Sequence, residues 1–280
     1  MGKWRYTTRA VGFSALMHGA PLLIKYFKLC FQSFRASWTF LTRIPVGGFP
    51  YPPETWTWIS MWFPVVGLVL GLMYGGIWSG LLGHAPNVTA VLITVSIGFL
   101  VTGGVHEDGL ADSCDAMGGG YTKADVLRIL KDSRIGTFGT LGVCAVLAIK
   151  CSLLVELAHI SGWVLGQSLS RVAPVVLLGV LPYADRPDGQ SKSKDVARSG
   201  KIQAVVVCVF GMVISLGALQ MQWVNTVNVL SMWLAVIVVT AVLGWRFHRR
   251  VGGLTGDFLG TTQQITELAI LLMLTTPTGV

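Results

Sequence analysis

From Gly103 to Asp115 the chain reads Gly-Gly-Val-His-Glu-Asp-Gly-Leu-Ala-Asp-Ser-Cys-Asp. Only thirteen residues in the whole chain are Asp or Glu, and four of them, Glu107, Asp108, Asp112 and Asp115, fall within nine positions. On a helix, Asp108, Asp112 and Asp115 stand at i, i+4 and i+7, which places three carboxylates on one face. Like charges stacked in this way repel, so the pattern calls for a positive partner. A hard divalent cation answers that need, since it takes oxygen ligands and recruits substrate phosphates to complete its shell. The plainer alternative is an acidic first turn set against a helix dipole. Glu107 and Asp132 are further oxygen donors within reach in sequence.

Other chemistry-bearing residues lie nearby. His106 directly precedes the acids and is a candidate acid or anion contact. Gly118, Gly119 and Gly120 form a run whose backbone amides suit a phosphate. Lys131 and Arg134, in Lys131-Asp132-Ser133-Arg134-Ile135-Gly136, are three apart and on a helix would grip one anion, Arg as a fork and Lys as a point charge. Asp132 between them reads as either a metal ligand or an ion-pair partner. A second glycine-flanked acid, Asp257, occurs in Gly252-Gly253-Leu254-Thr255-Gly256-Asp257. Together these residues fit a metal-dependent transfer of a phosphate-linked group. The cation neutralises diphosphate oxygens, and a carboxylate (Asp115 or Asp257) accepts the proton of an attacking hydroxyl.

The elements that carry these residues are apolar. Hydrophobic residues make up 52% of the chain and charged ones 12%, with a mean hydropathy of +0.65. A soluble domain carries about twice that charge, so the sequence predicts an integral membrane protein. Apolar runs at about 60–82, 86–105, 138–158, 161–181, 202–221 and 227–245, with a weaker one at 262–276, give an all-α polytopic bundle of six to seven spans, each needing roughly 20 residues. Residues 29–46 suit an amphipathic helix lying in the interface. Residues 1–28, with a basic start and an apolar run at 11–24, read as an extension, leaving 29–280 as one membrane-embedded catalytic domain.

Nineteen of the twenty-one Lys and Arg residues fall in loops on one side of a single topology, and the positive-inside rule makes that side cytoplasmic. This bias accounts for the net charge of +8 without nucleic acid as a partner. The exceptions, Lys150 and Arg171, lie within spans, as does Glu267, and such charges usually face a bundle interior or polar cavity. The five cysteines share no metal or disulfide spacing and read as small apolar residues.

The strings Phe40 to Val46, Gly103 to Asp115, Lys131 to Gly139 and Gly252 to Asp257 resemble the motifs of the cobalamin synthase family, the adenosylcobinamide-GDP ribazoletransferases. The resemblance runs from about residue 29 onward. One departure is Ala116, where the family pattern leads one to expect Gly. The resemblance implies a multi-pass inner-membrane enzyme, using Mg²⁺, with its site facing the cytoplasm. It would join adenosylcobinamide-GDP to α-ribazole or its 5′-phosphate and release GMP. In that reading Asp108, Asp112 and Asp115 hold the metal with Glu107 and Asp132. Lys131, Arg134, Arg43, Gly118 and Gly119 hold the diphosphate, and Asp115 or Asp257 is the base. The expected partners are these substrates and the bilayer, and a homo-oligomer is compatible with the sequence. Two rivals are a CDP-alcohol phosphotransferase, whose helix motif is similar, and a cation transporter.

Overall fold

The computed structural model describes residues 14–184 and 199–276, with side chains from residue 24 onward. The basic residues Lys3, Arg5 and Arg9, the start of the apolar run at 11–24, and the segment from Arg186 to Arg198 lie outside the described residues. Within them the chain is all-α, as expected; the one β pairing is an isolated bridge between Tyr183 and Leu254.

Helix α1 (Ser14–Leu41) runs through residue 28 without a break. It buries Ser33, Ala36 and Ser37 at i, i+3 and i+4, and leaves Tyr26, Phe27 and Phe31 exposed, so it is two-faced as expected. The expected amphipathic element at 29–46 stops at Leu41 instead, since Pro45 disfavours helical backbone just before it. Helix α2 (Pro53–Trp58) continues through a 3-10 turn into α3 (Phe63–Leu81), and α1 packs on all three.

Helix α4 (Asn87–Thr102) ends at Gly103 and Gly104, both left-handed, with φ of 72° and 67°. Two successive positive φ values are open only to glycine at low cost, and they turn the chain by 90° into α5 (Val105–Gly119). The acids, which follow the apolar run at 86–105, thus lie on a separate helix set at a right angle to it. A short helix α6 (Lys123–Ile129) follows, opened by a reciprocal cap between Thr122 and Asp125.

The remaining elements are α7 (Thr137–Leu157), α8 (Ile160–Leu169), α9 (Val172–Val180), α10 (Lys201–Gln220), α11 (Thr226–Val251) and α12 (Gly256–Thr275). Among the described residues, five helices are long and apolar enough to cross a membrane, or six if the bent α4–α5 pair is one span. The run at 262–276 is helical but not in that set. Its helix, α12, packs against α5, α7, α8, α9 and α11, and buries Thr262, Gln263, Gln264, Thr266 and Glu267. These polar residues are tolerated because their neighbours are protein and not hydrocarbon. All five cysteines are free.

Candidate active site

The site is built where α5 crosses α12. A Cβ on Gly109 would stand 2.9 Å from the Asp257 carbonyl oxygen, and one on Gly260 would stand 3.2 Å from that of His106. With neither Cβ present, the helices approach backbone to backbone, and the Thr261 hydroxyl ties them by donating to the Gly109 carbonyl at 3.1 Å. The crossing brings Asp108 and Asp257, remote in sequence, into the wall of one cavity of about 490 Å³, together with His106. Three helix starts contribute to that wall: Val105 of α5, Arg171 and Pro174 of α9, and Gly256 of α12. Helix N-termini carry unpaired amides and partial positive charge, so this lining favours an anion.

A second, much smaller cavity of about 30 Å³ lies on the inner side of α5, lined by buried and half-buried side chains. His106, Arg171 and Gln263 border both cavities. Inside, Lys150 Nζ donates to Glu267 Oε2 at 3.1 Å, Gln167 donates to Glu267 Oε1 at 2.8 Å, and Gln263 donates to Glu267 Oε2 at 2.9 Å. Gln264 donates to Glu107 Oε1 at 2.9 Å. The Arg171 guanidinium folds back on the Gln167 carbonyl and its side-chain oxygen. Two cations, Lys150 and Arg171, thus share the chamber with two carboxylates, Glu107 and Glu267. Balance of this kind is what buried charge requires, and it fits the expectation that embedded charges face the interior. Glu156, by contrast, is exposed at the end of α7.

The expected site residues therefore separate. Asp108 is exposed in the outer cavity, and its carboxylate has no protein partner among the described residues. Asp112 stands one turn on, at i+4 on the same face. Asp115 shares that face, yet both its oxygens are engaged: it accepts from the Gly136 amide at 2.6 Å and the Gly139 amide at 2.8 Å, capping the start of α7. Glu107 points into the inner chamber, away from Asp108. Asp132 is bound by Arg134, whose Nε and Nη2 donate to it at 3.0 and 2.7 Å, and this fork holds its carboxyl down at about 2. Lys131 and Arg134 were expected on one helix, but α6 ends at Ile129 and both lie in the loop that follows.

Gly118 and Gly119 were expected in an open phosphate loop. They form the last turn of α5 instead, with Gly118 packed under the Phe138 ring. Arg43 lies over Gly103 at the α4–α5 elbow, is exposed, and makes no ion pair among the described residues. Among the described residues no three His, Cys, Asp or Glu side chains are grouped to hold a metal alone. Asp108 and Asp257 share the cavity wall, and a hard cation needs only one or two protein carboxylates when phosphate and water complete its shell. Gln263 and Gln264 escaped the sequence reading, although the low hydropathy of 262–276 was their signal.

The family model described as cobalamin-5-phosphate synthase matches residues 33–275, which include every residue that lines the two cavities. The chain belongs to the cobalamin-5-phosphate synthase family. A family relative from Shewanella frigidimarina (strain NCIMB 400), an adenosylcobinamide-GDP ribazoletransferase, is 37% identical over 249 residues, covering 86% of this chain and 93% of that protein. Relatives of the same name from Shewanella woodyi and Shewanella oneidensis are 36% and 37% identical over 246 and 227 residues, covering 84% and 79% of this chain and 92% and 84% of theirs. No solved structure matches the chain.

Proposed function

We propose that this chain transfers the phosphocobinamide group of adenosylcobinamide-GDP to α-ribazole, or to its 5′-phosphate, and releases GMP. The reaction takes place in the outer cavity, on the cytoplasmic side of the inner membrane. The observation that carries this reading is the meeting of Asp108 and Asp257 in one cavity among three helix starts. Such a wall suits a cation and a diphosphate together.

A ribose hydroxyl attacks the phosphorus nearest the cobinamide, and the bond from that phosphorus to the oxygen bridging to GMP breaks. Asp257 accepts the hydroxyl proton. Its place in the cavity wall supports it, whereas Asp115 lies outside that lining, against the start of α7. Asp108 and Asp112 are the proposed ligands of Mg²⁺, which when bound would neutralise diphosphate oxygens and charge on the leaving nucleotide. The amides at the start of α5, which has no side-chain cap, and His106 contact the diphosphate. Arg43, at the elbow, and Lys131, in the loop after α6, are the proposed further cationic contacts of the diphosphate.

The test is to incubate purified protein in nanodiscs with adenosylcobinamide-GDP, α-ribazole and Mg²⁺, and to follow GMP and corrinoid by chromatography. GMP and a new corrinoid appearing together, and both lost with EDTA, are expected. Release of CMP from a CDP-linked lipid, with no GMP from the corrinoid, would overturn the proposal.

A further inference from the structure

The outer cavity has another wall that phosphoryl transfer does not use. Phe40 near the end of α1, Phe49 in the loop after it, Trp56 of α2 and Phe63 at the start of α3 all line it. The rings of Phe40 and Phe63 stack 5.8 Å apart and 8° from parallel, and Trp56 meets Tyr51 edge-on at 6.2 Å. Phe63 is 5% exposed and Phe49 is 72% exposed, so the aromatic surface runs from the depth of the cavity to its mouth. Resting on the transfer reading above, we infer that this wall binds the flat, weakly polar base of the acceptor nucleoside, so that the acceptor occupies the cavity and the corrinoid stays outside it.

Size and polarity both lead there. A cavity of about 490 Å³ falls in the range that holds one drug-sized ligand, as a benzimidazole nucleoside is. A corrinoid linked to GDP is several times larger. Of the two bases in the reaction, guanine carries donors and acceptors along its edges, and each would lose water on entering and need a partner. The wall offers few. The Thr39 hydroxyl beside the rings is already bonded to the Arg35 carbonyl and the Tyr51 hydroxyl, and Leu41, Pro174 and Leu259 add further hydrocarbon to the lining. An alkylated benzimidazole has one ring-nitrogen lone pair and otherwise apolar edges, so its burial leaves little unpaired. Flat rings stack on aromatic faces without sequence-specific hydrogen bonds.

The experiment measures KM for each substrate and, separately, equilibrium dialysis of α-ribazole alone, for the unaltered chain and for Phe40→Leu, Trp56→Leu and Phe63→Leu. The expected result is a roughly tenfold rise in nucleoside KM, a matching loss in dialysis, and little change in KM for the GDP-linked substrate. Were Phe63→Leu to fail to fold, the exposed Phe49→Ser carries the same expectation. A rise in KM for the GDP-linked substrate alone would assign the wall to guanine and overturn the inference. So would a fall in kcat with both KM values and dialysis unchanged, which would make the rings packing only. If the unaltered chain releases no GMP, the transfer reading fails, and dialysis still decides whether these rings bind the nucleoside.

Discussion

Glu107 and Asp108 are adjacent in sequence and belong to different chambers. Glu107 turns inward, bonds Gln264 and joins a buried, charge-balanced network around a cavity of about 30 Å³, whereas Asp108 is exposed in one of about 490 Å³. One step along a helix is about 100°, and at the border of a packed bundle that rotation separates a buried, hydrogen-bonded acid from one exposed in a cavity. The acid's type says less than the face on which it falls.

The comparison breaks most sharply at Asp108. Asp108→Ala should cost on the order of 10³-fold in GMP release and leave thermal unfolding in detergent nearly unchanged. A turnover loss under tenfold would remove Asp108 from the site. The inner chamber should respond in the opposite sense. Lys150→Met leaves Glu267 without its cation and should destabilise the fold by about 3 kcal/mol or more, read as a fall in the unfolding midpoint. Lys150→Met/Glu267→Gln should recover part of that loss, because both charges are then gone.

Glu107→Gln sharpens the contrast from the other side. It should reduce activity by about tenfold at most, through misplacement of α5, and leave the Mg²⁺ concentration for half-maximal rate where it was. A large shift in that concentration would place Glu107 among the metal ligands after all. The smallest effect is expected at the exposed loop. Arg134→Ala should let the Asp132 carboxyl rise from about 2 to the ordinary aspartate range, followed by NMR titration. Because the fork depresses this pKa, its contribution is present above the unfolded value and is lost as pH falls toward 2.

Much of this was legible in the residues. Low charge and long apolar runs gave the helical membrane bundle, and the spacing of Asp108, Asp112 and Asp115 gave one helical face. What spacing could not give is where each carboxylate ends. Asp115 shares the face of Asp108 but lies one more turn along, against the start of α7, where amides compete for it. Gly103 and Gly104 read as part of a glycine-rich motif, and only their positive φ values reveal the right-angled elbow. The glycines at 118 and 119 looked like a phosphate loop because local composition cannot tell a flexible turn from a helix end that must pass under an aromatic ring.

Helix α12 places a further demand on the protein, at the stage of its biogenesis. With Gln263, Gln264 and Glu267 in its middle it is poor cargo for insertion into lipid, since each such side chain weighs against partition into hydrocarbon. Those side chains find their partners on neighbouring helices instead, Glu267 on Lys150 and Gln167 and Gln264 on Glu107. Asp257 sits in its first turn. The proton acceptor proposed for the reaction therefore reaches its cavity at the moment the bundle is assembled around α12, and a half-inserted chain holds no working site.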